Sequence, residues 1–286
     1  MKTPMPDKNL DIIERIRNAY HDLTAAERKV ADYVLEADSQ VQFMSITQLA
    51  EECGVADATV SRFCRTLELK GFNAFKLEIA KRAAPRSVPD SSLPANSPAS
   101  RRAEVCRLAE DAVHQTMELL SINHVEQAVE LFEHAPRVVC LGSGGSMILA
   151  HACANLFSTV TNNFIAVPDS HSQISMAAAL TTQDVIVLFS YSGSTTIGVQ
   201  ILELAKSRGV KTVLVTRYIK SPAAKLADVV LCCGSNETPF QAGSVPAKIA
   251  QLVVMDTLYQ EYCHRNREAC DRQIQSLASA LSGTHL

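Results

Sequence analysis

Nine residues between a strand-like apolar run and a helix-like run, LFSYSGSTT from Leu188 to Thr196, gather hydroxyl groups around a single glycine. Hydroxyls at a strand end can serve a nucleophile, an anion cradle or a plain polar turn. A serine nucleophile is usually presented in GxSxG, but the residue two before Ser192 is Ser190, and no third triad member is evident. A nucleotide phosphate loop needs Gly-Lys followed by Ser or Thr, which this stretch lacks. The residue types do suit an anion site made of neutral donors. Gly193 lets the backbone bend tightly, while Ser190, Ser192 and Thr195 supply hydroxyls. The helix expected from Thr195 adds free N–H groups and the positive end of its dipole. Neutral donors hold a phosphate reversibly, as a metabolite site requires.

A second loop of the same character, GSGGS from Gly142 to Ser146, places Gly144, Gly145 and Ser146 at the start of another expected helix. It begins like a dinucleotide fingerprint, yet Met147 stands where the third glycine belongs, which argues against NAD. The elements that must position both loops begin at Arg137. Apolar runs RVVCLG, NFIAV, DVIVLFS, KTVLVT and ADVVLCC alternate with helical periods at about Ser146–Ser158, His171–Leu180, Thr195–Arg208 and Pro222–Leu226, and a long helix runs through PAKIAQLVVMDTLYQEYCHR. This alternation predicts an α/β doubly wound, five-stranded parallel sheet. In the flavodoxin-type order 2-1-3-4-5, strands 1 and 3 are neighbours whose helices lie on opposite faces. Their hydroxyl-rich loops then meet at the switch point, where such sheets bind ligands. The competing reading is two unrelated polar turns.

The first part of the chain has only helical period. LTAAERKVADYVLEA opens with Thr24 and Glu27 at capping-box spacing. SITQLAEECGVADATVSRFCRTL carries the features of a helix-turn-helix: Ala50 where two helices cross, Gly54 at the turn and Val60 seating the second helix. That second helix is expected to project Asp57, Ala58, Thr59, Ser61, Arg62 and Arg65 outward, a short polar face of the kind that enters a major groove. Thr59, Ser61 and Arg62 are the candidates for base edges, and Arg65, Lys70 and Lys76 for phosphates. Ala56 occupies a position where a serine cap is usual, so Asp57 is the alternative cap. The bland reading is an ordinary helical hairpin with a solvated face.

Composition limits the alternatives. With 286 residues, 47% of them apolar, the chain can bury two domain cores. A net charge of −3 argues against bulk attraction to nucleic acid, but Ala58 to Arg82 holds six cations (Arg62, Arg65, Lys70, Lys76, Lys81, Arg82) against two acids, Glu68 and Glu78. A basic patch in an acidic protein needs a partner. The nine cysteines are scattered, with no CxxC and no ligand spacing, and read as reduced packing residues; no metal or cofactor is expected. No apolar run approaches the ~20 residues of a membrane span and no leader pattern opens the chain, so a cytoplasmic location is expected. The proline- and serine-rich run through Pro85, Pro89, Pro94 and Pro98 reads as a flexible linker over 83–100. It separates an all-α helix-turn-helix domain, 1–82, from a sheet domain, 101–286.

The paired loops resemble the sugar isomerase (SIS) domain, and with the helix-turn-helix in front the whole chain resembles an RpiR-family transcriptional regulator. The resemblance runs from about Leu10 to Cys263 through TVSRFCRTLELKGFNAFKLEIA, LGSGGS, DSH, SYSGST, SPAAKLAD and AKIAQLVVMD. It implies a phosphosugar effector whose phosphate is held by Ser146, Ser190, Ser192 and Thr195, with Gly144, Gly145 and Gly193 shaping the loops. His171 and Glu237 are implied as sugar contacts. Lys248 stands where the family commonly carries an arginine, which sets its role apart. The implied partners are operator DNA, probed as a palindrome by a homodimer or homotetramer pairing through helices such as Ala247–Tyr262.

Three functions stay open on the sequence. The first is a regulator whose operator affinity is controlled by a phosphosugar. The second is a phosphosugar aldose–ketose isomerase, for which His171 and Glu237 are the only acid–base pair that can be named. The third is an architectural DNA-binding protein with a vestigial pocket. The regulator has no catalytic residue.

Overall fold

A computed structural model describes residues 11–82, 97–235 and 244–282, which fall into two compact units, 11–104 and 105–282. The first unit holds α1 (Ile12–Ala19), a 3₁₀ turn (Tyr20–Asp22), α2 (Ala25–Glu36), α3 (Asp38–Val41), α4 (Ile46–Glu52), α5 (Asp57–Thr66) and α6 (Phe72–Arg82). Reciprocal caps start two of these helices. The Thr24 hydroxyl accepts the Glu27 N–H while the Glu27 carboxylate accepts the Thr24 N–H at 3.0 Å, as the spacing predicts. Ser45 and Gln48 repeat the device at α4. Gly54, at φ +61°, closes α4: its N–H reaches the Glu51 carbonyl at 3.0 Å, and the Val55 N–H reaches that of Ala50 at 2.9 Å. That turn aims α5 across α4, and Val30, Val34, Leu49, Ala50, Val60 and Phe63 close beneath it as the core. Phe63 meets Phe75 edge to face at 5.6 Å.

The second unit is α/β. From Val105, within α7 (Pro98–Leu119), it runs through α8 (Ile122–His134), β1 (Val138–Gly142), α9 (Gly145–Phe157), β2 (Phe164–Ala166), α10 (Ser170–Ala179), β3 (Val185–Phe189), α11 (Thr196–Arg208), β4 (Lys211–Thr216), β5 (Val229–Cys232), α12 (Val245–Arg265) and α13 (Arg267–Leu281). All strand pairs are parallel, in the order β2-β1-β3-β4-β5, as expected from the sequence. β1 and β3 lie side by side in a register that sets Gly142 opposite Phe189. Alternate residues feed two cores. Cys140, Val187 and Val215 face α8, α9 and α12, whereas Leu141, Leu188 and Leu214 face α10 and α11. An aromatic cluster seals the first core, with Phe157 stacked on Phe164 at 3.9 Å.

Several sequence expectations need adjusting. Pro222–Leu226 is a turn and not a helix, because the chain has only five residues there between buried Ser221 and the Ala227–Asp228 approach to β5. α13 was not foreseen: Cys270 is its only buried residue, so its apolar stripe is too thin to read. Val105 on α7 is 62% exposed. Of the run read as linker, residues 83–96 lie outside the described residues, and α7 begins at Pro98. Among the described residues no cysteine forms a disulfide, and Cys106 is exposed. Among the described residues no helix is long and apolar enough to cross a membrane.

Candidate functional site

α9 leaves β1 toward one face of the sheet and α11 leaves β3 toward the other, so the Ser143–Ser146 and Ser190–Thr195 loops depart from adjacent strand ends at the switch point. The first loop turns at Gly144, φ +56°, which is the N-cap of α9. Gly142 must be glycine, since a Cβ there would sit 2.6 Å from the Ser146 carbonyl oxygen. Ser146 is half-buried in the first turn of α9, while Gly144 and Gly145 are exposed.

The second loop is tighter. Gly193 bends at φ +58°, and a Cβ would meet Ser221 Oγ at 2.0 Å. Its N–H bonds the Ser190 carbonyl at 3.0 Å, and its carbonyl accepts the Ala223 N–H at 2.9 Å. Ser190 is 4% exposed, and its Oγ has no hydrogen-bond partner among the described residues. Thr195 caps α11 by position but its side chain makes no capping bond. Thr195 Oγ1 and Ser190 Oγ converge over Gly198, at 2.7 and 3.9 Å from where its Cβ would stand. The half-buried Ser192 Oγ accepts the Ser194 N–H at 3.3 Å. Two hydroxyls and an open helix N-terminus therefore share one spot, which can bind an anion.

The remaining expected contacts are more dispersed. His171 is exposed in the first turn of α10, beside Asp169, which caps that helix by accepting the Ser172 N–H at 3.0 Å. The bonds from Ser172, helped by His171, hold the Asp169 carboxyl below its ordinary range. Lys248 is half-buried in the first turn of α12. Glu237 lies outside the described residues. Sequence reasoning missed four supports of the site. Tyr191 donates its hydroxyl to the Ser235 carbonyl, which also accepts Arg217 Nε at 3.3 Å. Thr216 Oγ1 donates to the Tyr191 carbonyl at 3.0 Å. Gln173, fully buried on α10, reaches the Gly142 carbonyl at 2.8 Å. Arg217 also qualifies the expectation of a bend without a fixed cation. Its N–H bonds the Tyr191 carbonyl at 3.0 Å, although its guanidinium is turned to Ser235.

A groove of about 990 Å³ lies at the opposite, amino-terminal edge of the strands, between Leu131, Pro136, Asp184, Lys211 and Asp228. Its chemistry is structural. Arg137 grips Asp184 with two bonds, 2.9 and 2.7 Å, and holds its carboxyl below the ordinary range. Lys211 pairs with Asp228 at 3.0 Å. Among the described residues no group of three His, Cys, Asp or Glu side chains is placed to hold a metal.

In the helical unit, α5 presents Ala58, Arg62 and Arg65 to solvent, with Ser61 half-buried; Lys70 follows, exposed. Thr59 departs from expectation. It shares the inward side of α5 with Val60 and Phe63, is 5% exposed, and accepts Arg62 Nη2 at 3.3 Å. It orients Arg62 and is not itself open to a base edge. Asp57 does not cap its helix, because its carboxylate accepts the Thr47 hydroxyl at 2.9 Å and ties α5 to α4. The half-buried Lys76 donates to the Met44 carbonyl at 3.0 Å and lies over the Phe72 ring. Beneath α5, Glu27 accepts the Thr66 hydroxyl at 3.0 Å. Burial pushes the Glu27 carboxyl up, but the bonds from Thr24 and Thr66 and the nearby Arg62 outweigh it and hold the group below its ordinary range.

Comparison with known proteins matches both halves. The model of the helix-turn-helix domain, rpiR family, covers residues 10–86, and that of the SIS domain covers residues 131–260. An uncharacterised HTH-type transcriptional regulator of Haemophilus influenzae is 30% identical over 258 residues, spanning 88% of this chain and 90% of its own. Another, from Caldanaerobacter subterraneus subsp. tengcongensis, is 30% identical over 274 residues, 95% and 97% of the two chains. The solved structure of the Vibrio vulnificus NanR protein complexed with ManNAc-6P aligns with a TM-score of 0.85 at 25% identity, over 96% of this chain and 99% of that one.

Proposed function

The chain belongs to the rpiR family of helix-turn-helix transcriptional regulators with a SIS domain, and from that premise we propose that its operator affinity is set by a phosphosugar bound in the serine crevice. The observation that carries this reading is Ser190 Oγ, a buried hydroxyl at the end of β3 with no hydrogen-bond partner among the described residues. A phosphate oxygen is the kind of acceptor that would complete it. Ser190, Ser192 and Thr195 hold the phosphate from the α11 side and Ser146 from the α9 side, with Gly144, Gly145 and Gly193 shaping the loops. His171 and Glu237 are assigned to sugar contacts. The NanR relative, solved with a phosphosugar, supports that ligand class.

Residues 1–82 form the reading head and 101–286 the sensor, and the linker of 83–100 gives way to α7 at Pro98. Arg62 and Ser61 read bases, while Arg65, Lys70 and Lys76 hold phosphates. The active species is a cytoplasmic homodimer or homotetramer on a palindromic operator. Val245 and Leu252, seven apart on α12 and both exposed, support pairing through that helix. The crevice binds and does not turn over its ligand. Gel mobility shifts of the full chain on its operator, titrated with a panel of central-metabolism phosphosugars, test this: one of them is expected to lower affinity. Binding that no phosphosugar alters would remove the sensing role.

A further inference from the structure

Gly142 ends β1 and Val167 follows β2, and both carbonyls accept hydrogen bonds from Nε2 of one side chain, Gln173, at 2.8 and 3.0 Å. Gln173 lies in the first turn of α10 and is fully buried. The two carbonyls fix which end of its amide is nitrogen. They also explain the residue type, since an ionised Glu offers no N–H and Asn is one methylene shorter. Gln173 Oε1 is left buried without a hydrogen-bond partner among the described residues. A buried unsatisfied acceptor is destabilising, so an amide is a poor choice for filling space alone.

What the nitrogen holds is the spacing of two segments. Gly142 opens the GSGGS loop, and Val167 leads through Asp169 to His171. Peptide planarity extends the effect: with the Gly142 carbonyl turned toward Gln173, the Ser143 N–H of the same plane points the opposite way. Gln173 thus orients the peptide from which the glycine loop departs.

We propose that Gln173 is a positioning residue of the effector crevice, locking the glycine loop and the His171 segment at one spacing so that a phosphosugar engages both. This rests on the effector reading above. Gln173 touches neither phosphate nor sugar, and acts through the Gly142 and Val167 carbonyls.

Amide hydrogen exchange of the full chain tests it, on wild type, Gln173→Met and Gln173→Leu, each with and without inorganic phosphate. Met is close to Gln in volume and keeps the fold while removing the amide. In both variants, unliganded exchange over residues 142–147 and 167–172 is expected to rise about tenfold, the equivalent of one or two lost hydrogen bonds. Phosphate is expected to slow exchange at 142–147 and 190–196 in wild type, and at 190–196 alone in the variants. A Met variant that exchanges like wild type assigns Gln173 to packing and overturns the inference. So does phosphate protection of 142–147 that survives in both variants. Wild type that phosphate protects nowhere overturns the effector reading itself, and the inference with it.

Discussion

A hydroxyl buried without a partner carries a desolvation cost of about 1–3 kcal/mol, and Ser190 Oγ is in that position at the end of β3. Stability and binding should therefore respond in opposite directions to its removal. Ser190→Ala is expected to melt at or above the wild-type temperature without ligand, and to lose most of the rise that a bound phosphosugar produces. Thermal shift with and without ligand checks both halves; an unliganded variant that melts much lower would mean the hydroxyl is satisfied. Glu27 makes the contrary case, a buried polar group with every bond in place. Its lowered carboxyl pKa means that its stabilisation is complete above the ordinary glutamate range and is lost as pH falls through the lowered value. Glu27→Gln is expected to cost about 1–2 kcal/mol at neutral pH and to flatten the acid limb of the pH–melting curve. An unchanged acid limb would show that another carboxylate sets it.

The face that α5 turns outward decides what each of its side chains can do. Arg62→Ala is expected to cost about 1–3 kcal/mol of operator binding and relax sequence preference, whereas Lys70→Ala weakens all sequences alike and lowers the salt slope by about one. Affinity measured against operator and scrambled DNA over a salt series separates the two. Thr59 shows where sequence phase fails: on a ten-residue helix one position of rotation moves a residue from the groove side to the core side. The strands and their order were legible because buried parallel strands read as near-continuous apolar runs between helical periods. The serine bends were legible because their glycines and hydroxyls are contiguous. Gln173 was not, since its partners are carbonyls 31 and 6 residues away, and a carbonyl has no sequence identity. The Thr66 bond to Glu27 spans 39 residues and is equally invisible in the sequence.

For the molecule as a whole, sensing requires that ligand and operator alter each other's affinity. Linkage makes the two effects equal: whatever factor the phosphosugar takes from operator affinity, operator DNA must take from phosphosugar affinity. Titrating the phosphosugar calorimetrically into free and operator-bound protein is expected to give two dissociation constants in the ratio found by mobility shift. Unequal ratios would mean a third state or a change in assembly. At Gly193 the room for a methyl group is already taken by Ser221. A gene drifting under selection can exchange residues around the rim, retuning which sugar is welcome. It has no single-step route to a bulkier residue at that bend, because Ser221 would have to shrink first. Under the proposed sensing role, descendants of this chain should consequently differ in taste while keeping the same grip.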